Sequence, residues 1–207
     1  MQTIPASPQT KRQGGYTIIE LGIALTIIAV LIVAGLAGVT TVLNNSKANG
    51  QIEESGIVLA KLQSTLTSTS ASGLTTAIAI GSSYFPTSRV SGTAVTNKFN
   101  GSEFVASNAA LSSAEGVVAA ANVGAIYTIT GVPKAVCANL ASSLATLANS
   151  AWIYSGTSVS ESTSTALANL TATTSQIKAP GAQVLAARVG TQCNLADTVN
   201  LAFFLRP

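Results

Sequence analysis

Residues 11–39 read KRQGGYTIIELGIALTIIAVLIVAGLAGV, and this stretch decides how the chain is organised. A basic segment that ends in two glycines runs into an apolar block, Ile18 to Val39, whose single charge is Glu20. A helix over these 22 residues would be about 33 Å long, which matches the hydrocarbon core of a bilayer. Because a carboxylate inside such a block is costly in lipid, Glu20 needs a specific explanation.

Two general interpretations fit the apolar block. The first is a transmembrane anchor. The second is a secretory signal peptide, with Lys11 and Arg12 as its positive region and Gly35-Leu36-Ala37 as a small-residue cleavage site. The block is longer than the usual apolar region of a signal peptide, and its early acidic residue disfavours export. These two features argue against the signal peptide.

The segment GGYTIIEL, residues 14–21, resembles the processing site of type IV prepilins. The resemblance implies that a prepilin peptidase cuts after Gly15 on the cytoplasmic face. Tyr16 would then become the N-terminal residue, which is often N-methylated in the family, and Glu20 would be the fifth residue of the mature chain. The basic residues Lys11 and Arg12 suit a cytoplasmic end by the positive-inside rule.

The same resemblance gives Glu20 a role in assembly. A carboxylate in a dry environment is tolerated when it meets a positive charge. In the family that charge is the N-terminal amine of a neighbouring subunit, which would here be the amine of Tyr16. Glu20 would therefore be unpaired in a monomer and paired in a fibre, where it would set the register of assembly.

The composition argues against several classes of function. The chain has no histidine, which removes the commonest general base and metal ligand, and it has no dinucleotide-binding, P-loop or EF-hand motif. The net charge of +3 includes Lys11 and Arg12 of the leader, so it does not indicate nucleic-acid binding. We expect a protein that is not an enzyme and has no cofactor, metal or nucleic-acid partner.

The chain is predicted to have three parts. Residues 1–15 form a leader peptide, residues 16–43 form the hydrophobic transmembrane or fibre-core half of a long helix, and residues 44–207 form a globular α/β head. The head includes the second half of the helix, which is predicted to end near residue 69.

The second half of the long helix is predicted to be amphipathic. Ile52, Leu59 and Leu66 recur every seven residues, with Leu62 beside them. The polar positions of this half are supplied by Lys47, Gln51, Glu54, Lys61 and Gln63.

Short strands and one further helix are predicted in the rest of the head. They are a turn at 97–101, a strand at 125–130 that Gly131-Val132-Pro133 breaks, a helix from Pro133 to about Ala148, a strand at 151–155 and a final strand at 198–205. One face of this helix would carry Val136, Leu140, Leu144 and Leu147. Residues 156–176 are rich in Ser and Thr and predict a loop or a weak helix.

Several other residues invite a functional interpretation. Trp152 and Tyr154 share one face of a strand, which indicates core packing more often than a ligand platform. The carboxylates of Glu103, Glu115 and Glu161 are isolated in sequence and form no predicted catalytic pair. The scattered cations of Lys178, Arg188 and Arg206 either solvate the surface or mark a surface for an adhesive partner.

The head resembles the larger type IVb pilins, which include the toxin-coregulated pilin type and the thin-pilus pilins of conjugative plasmids. A strand followed by GVPKAVCANL, and a second cysteine shortly before a terminal strand, carry this resemblance. It implies the α+β type IV pilin fold, with the N-terminal helix packed on an antiparallel sheet, and a disulfide between Cys137 and Cys193. Two cysteines in an exported chain also favour a bridge on chemical grounds.

The resemblance implies a structural subunit, the major pilin, of a type IVb pilus that serves adhesion, aggregation or conjugation. Its partners would be prepilin peptidase, the inner membrane before assembly, the pilus assembly machinery and copies of itself in a helical filament. The protein would move from the inner membrane of a Gram-negative bacterium to an extracellular filament. The alternatives are a minor pilin or a type II secretion pseudopilin, and a secreted binding protein or adhesin with a signal peptide.

Overall fold

The computed structural model describes residues 15, 17–108, 110–111, 119–156 and 175–207. The chain divides into two compact units, Met1–Val42 and Leu43–Pro207. The fold class is α+β, as predicted, and it is compatible with a pilin-like fold: a long N-terminal helix accompanies an antiparallel sheet and further helices.

The long helix α1 runs without interruption from Ile18 to Ser68, over 51 residues, which confirms the predicted helix to within two residues. The helix contains no proline, and it ends where the sequence becomes a run of Ser and Thr. Serine and threonine favour helix ends because their hydroxyls compete for backbone hydrogen bonds. The first half is apolar on every side, whereas the second half has a buried face.

The remaining elements all belong to the second unit. In chain order they are α2 (Thr76–Gly81), a 3₁₀ turn (Thr87–Arg89), β1 (Val90–Ser91), β2 (Ala94–Thr96), β3 (Ser102–Ser107), β4 (Ala125–Pro133), α3 (Lys134–Ala145), β5 (Ser150–Tyr154), β6 (Gln176–Lys178), α4 (Ala186–Cys193) and β7 (Thr198–Leu205). The strands predicted at 125–130, 151–155 and 198–205 correspond to β4, β5 and β7. Most of the stretch predicted as a loop or weak helix, residues 157–174, lies outside the described residues.

The described strands form one antiparallel sheet in the order β1-β2-β3-β4-β7-β5-β6. The C-terminal strand β7 lies in the middle, between β4 and β5, so that Phe203 pairs with Tyr127 on one side and Ala151 on the other. Both neighbours of β7 therefore depend on the last strand of the chain to complete their hydrogen bonding.

Alternate residues of the central strands point to opposite faces of the sheet, as strand geometry requires. Tyr127, Ile153 and Phe203 lie in the main core, whereas Trp152 and Phe204 lie in a second, smaller cluster. The main core also contains the apolar face of α3 and the buried face of α1, including the predicted Leu59, Leu62 and Leu66. The helices thus cover one face of the sheet.

Two predicted details of the region after β4 are wrong. The strand does not break at Gly131, because β4 continues to Pro133 through a shift in register between Ile129 and Val132. Gly131 has φ +67° there, a conformation that glycine adopts without strain, so the bulge keeps the strand paired.

The second wrong detail concerns the length of α3. The helix ends at Ala145, three residues before the predicted end. Leu147 therefore lies outside the helix and is about half exposed rather than on the buried face with Leu140 and Leu144.

Candidate functional site: the N-terminal helix and the head interior

The beginning of α1 carries the residues on which the prepilin resemblance rests. Gly15 is exposed, Tyr16 lies outside the described residues, and α1 begins at Ile18. The backbone N–H of Glu20 donates a hydrogen bond to the hydroxyl oxygen of Thr17 at 3.3 Å. Thr17 therefore occupies the N-cap position of α1, and Glu20 lies in the first turn.

This position gives the Glu20 carboxylate a role within a single chain. A negative charge in the first turn interacts favourably with the helix dipole, by about 0.3–1 kcal/mol in exposed helices. The spacing Thr17-x-x-Glu20 is also the sequence pattern of a capping box. This pattern indicates a helix start in the sequence, and the prepilin motif does not account for it. Any account of Glu20 in assembly must therefore separate its charge from its place at the helix start.

The first half of α1 exposes apolar side chains on all sides. An 18-residue window of the helix reaches a mean hydropathy of 2.6. Every large apolar side chain from Ile18 to Leu43 is at least half exposed. By length and composition, α1 is the one helix among the described residues that is long and apolar enough to cross a membrane. Exposure of this extent is characteristic of surface that lipid or another protein covers.

The head contains the implied disulfide. Cys137 in α3 and Cys193 at the end of α4 are bonded, with their Cα atoms 5.7 Å apart and both side chains buried. The bridge joins the two helices through cysteines that are 56 positions apart in the sequence. It therefore closes a long loop that includes β5, β6 and residues outside the described part of the chain.

A cluster of polar side chains lies buried where α1 packs on the sheet. We call it the Glu103 cluster, and its members are Gln51, Ser55, Arg89, Glu103 and Tyr127. Four of the five side chains are fully buried, and the side chain of Arg89 is 9% exposed.

Hydrogen bonds join every member of the Glu103 cluster. One carboxylate oxygen of Glu103 accepts from Gln51 Nε2 at 2.8 Å and from Arg89 Nη1, and the other accepts from Tyr127 OH at 2.6 Å. Gln51 Nε2 also donates to Ser55 Oγ at 2.7 Å, and Ser55 Oγ lies 2.9 Å from Tyr127 OH. Both oxygens of the buried carboxylate are thus satisfied, which is the condition for tolerating a buried charge.

A second carboxylate extends the cluster toward solvent. Glu54 Oε2 lies 2.7 Å from Arg89 Nε, and Glu54 Oε1 lies 2.7 Å from Lys98 Nζ. The backbone N–H of Lys98 donates to Gln51 Oε1 at 3.0 Å. Two cations and two carboxylates, counting Glu103, therefore balance each other at this interface.

The surroundings of the cluster change the proton affinities of its members. Burial raises the pKa of Glu103, and the charge of Arg89 opposes that rise. Burial, reinforced by the adjacent Glu103 carboxylate, raises the pKa of Tyr127 well above its ordinary value, so the phenol stays protonated and its O–H donates a hydrogen bond to Glu103.

The cluster corrects two expectations from the sequence. Glu103 is isolated in sequence but not in space, where it binds three other side chains. Gln51 is a polar residue of an amphipathic helix, yet it lies on the buried face of that helix. Glu115 and Glu161 lie outside the described residues.

Two of the cations that could have marked a partner surface bind the protein's own backbone. The ammonium of Lys178 donates to the carbonyls of Ala145 and Ala148 at 2.8 and 2.7 Å, which caps the end of α3. Arg188 donates to the carbonyl of Gln176. An open cleft of about 470 Å³ lies beside Lys178, but the ammonium is already directed at these carbonyls.

Trp152 and Tyr154 belong to the core. Trp152 is fully buried in the smaller cluster with Phe204, and Tyr154 packs against that cluster. Across the described residues, no group of three or more acidic, cysteine or histidine side chains has the arrangement of a metal site. No protein-family model matches this chain, and no curated protein matches it significantly.

Proposed function

We propose that the protein is the repeating structural subunit of a type IVb pilus. It is made as an inner-membrane precursor, prepilin peptidase removes residues 1–15, and the pilus assembly machinery polymerises the mature chain. The apolar half of α1 then passes from lipid into the fibre core, and the head lies on the outside of a filament that mediates adhesion, aggregation or conjugation.

The observation that carries this proposal is the combination found at the start of α1. An exposed apolar helix begins two residues after Tyr16, and a carboxylate lies in its first turn. In a simple membrane anchor this carboxylate would contribute only its interaction with the helix start, about 0.3–1 kcal/mol in exposed helices. A subunit that leaves the membrane and packs against its copies can use it, because it selects the neighbour whose N-terminal amine reaches it.

The exposed apolar surface stabilises the filament against exposure of the helix to water. Relative to exposure in water, burial of even 1,000 Å² against neighbouring helices would contribute about 25 kcal/mol at about 25 cal/mol per Å², before the costs of association. Contacts of this kind are non-directional, so they do not define a register. The ionic contact of Glu20 would supply that definition.

A charge-removing substitution, Glu20→Gln, tests the role of Glu20. Glutamine is close in size to glutamate and also suits the third helical position, so the start of α1 should be retained. We expect membrane levels of the variant equal to wild type and a loss of most surface filament, measured by quantitative immunoblot of sheared filaments and of membranes.

The matched control is Glu53→Gln, which removes an exposed carboxylate from the head half of the same helix. Filament yield should be unchanged in this control. Abundant, normal filaments from Glu20→Gln would refute the register role of Glu20. If wild-type filaments contain the protein only in trace amounts, it is a minor subunit rather than the repeating one.

A further inference from the structure

The apolar face of α1 does not by itself define where the helix sits along the sheet. Ile52, Leu59 and Leu66 repeat every seven residues, and all three pack in the main core. A slip of one heptad would move the helix by about 10 Å. After the slip toward the C-terminal end of the core, Ile52 would replace Leu59 and Leu59 would replace Leu66, so much of the apolar contact would survive.

The polar members of the Glu103 cluster fit only the observed register. In the slip just described, Gln51 and Ser55 would enter the places of Val58 and Leu62, which are fully buried among apolar side chains. In the opposite slip, Val58 would face the buried carboxylate of Glu103. Either movement leaves a buried polar group without its partners.

The charges on α1 also favour the observed register over a heptad slip. Glu54 lies between Arg89 and Lys98, and the residues one heptad away on either side are Lys47 and Lys61. A slip in either direction would therefore replace the carboxylate between two cations with a third cation. Like charges at this separation repel.

The absence of a side chain at Gly50 of α1 also favours the observed register. A Cβ atom on Gly50 would lie 2.9 Å from Lys98 Cε, so the glycine leaves the space across which Lys98 reaches Glu54. The residues that a heptad slip would bring to this place are Leu43 and Ile57. Either side chain would push Lys98 away from its partner.

We propose that the Glu103 cluster, together with Glu54 and Lys98, fixes the axial register of α1 on the sheet and excludes the heptad-shifted packings that the apolar repeat would allow. The proposal concerns the head alone and does not depend on a pilus function. The function of the cluster is to select one packing, because a well-packed apolar interface of the same size would supply comparable or greater stability.

Photo-cross-linking reads the register directly. Tyr84 OH is hydrogen-bonded to Thr65 Oγ1 of α1, so p-benzoylphenylalanine in place of Tyr84 presents its reactive carbonyl to that part of the helix. In the full chain in detergent micelles, mass spectrometry should place the cross-links of the otherwise wild-type protein around Thr65. A heptad slip would place them around Val58.

The test variant removes the cluster and gives Lys98 a partner in the slipped register. It carries Gln51→Leu, Ser55→Ala, Arg89→Met, Glu103→Leu, Tyr127→Phe and Lys47→Glu. We expect a folded head and a several-fold rise in the share of cross-links at Val58. A milder variant, Arg89→Met with Glu103→Gln, should give a smaller rise at the same residue.

The control combines Glu53→Gln with Lys134→Met, which changes two exposed charges outside the cluster. Its cross-links should stay at Thr65. A folded test variant whose cross-links also stay at Thr65 would overturn the proposal. So would failure of both cluster variants to fold, because the cluster would then be needed for stability and not for the choice of register.

Discussion

Among single residues, the glutamates Glu103 and Glu20 have opposite surroundings. Glu103 is fully buried, and its charge is answered within the head by Arg89 and by hydrogen bonds from Gln51 and Tyr127. Glu20 is exposed in an apolar segment, which the proposed function covers first with lipid and then with neighbouring chains. The buried charge of Glu103 is thus answered inside the head, whereas Glu20 would meet its partner only on a neighbouring chain.

The substitution Arg89→Met should destabilise the head strongly. It removes the cation that faces Glu103 and Glu54 while leaving a carboxylate buried. Breaking a buried ion pair on one side typically costs about 3–5 kcal/mol. Urea unfolding followed by fluorescence of Trp152, the single tryptophan, should show this loss, since the residue is fully buried in the head.

The appropriate comparison is Lys134→Met, which removes an exposed cation from the first turn of α3. Its free energy of unfolding should stay within about 0.5 kcal/mol of wild type, as it does for ordinary surface substitutions. Equal midpoints for Arg89→Met and Lys134→Met would mean that Arg89 does not stabilise the buried carboxylate.

The substitution Glu103→Gln should change how stability depends on pH. The folded-state pKa of Glu103 is raised, so the folded head binds this proton more tightly than the unfolded chain does. The stability that the protonated Glu103 carboxyl contributes is fully present below its pKa in the unfolded chain, and it is lost as the pH rises through its pKa in the folded head. As the pH rises from about 4 toward neutral, wild type should therefore lose stability relative to Glu103→Gln. Urea midpoints of both proteins across this range measure the difference, and parallel curves would contradict the prediction.

Among the helices and strands, the sequence predicts those that are long enough to show a clear residue pattern. The 51-residue helix, the β-branched and aromatic strand β4, and the apolar strand β7 were all accessible from residue patterns. The strands β1, β2 and β6 were not, because they are two or three residues long and their identity comes from pairing with neighbours.

The same reason explains why the Glu103 cluster escaped prediction. Gln51 and Glu103 are separated by 52 positions, and each is a residue type that usually lies at the surface. Only the packing of α1 on β3 and β4 brings them together. The candidate site at the start of α1 could be predicted because its residues lie within a few positions of one another, and its role stays a prediction.

The disulfide is the element-scale feature with the clearest energetic consequence. Removing it by Cys137→Ser with Cys193→Ser releases a loop of 56 positions in the unfolded chain. In the chain-entropy account this should lower the free energy of unfolding by roughly 4 kcal/mol. Urea unfolding of the double variant beside wild type, monitored at Trp152, measures the loss. A midpoint unchanged from wild type would show that contacts between α3 and α4 suffice without the bridge.

At the scale of the whole molecule, the two units make opposite demands on their surroundings. The unit Leu43–Pro207 buries its own apolar residues and pairs its own buried charges. In the unit that ends at Val42, the large apolar side chains of the described residues are exposed, and the sequence of this unit carries one carboxylate. The proposed subunit, held first by lipid and then by its copies, would reconcile these demands.

The proposed pilin function requires that the mature protein keeps this apolar helix and loses only the leader before it. Mass spectrometry of the N-terminus of the protein isolated from its native cells tests this most directly. We expect a chain that starts at Tyr16, with or without a methyl group on its amine, and that retains Glu20. A chain that starts near Gly38 would contradict it, because the helix and its carboxylate would have been removed as a signal peptide.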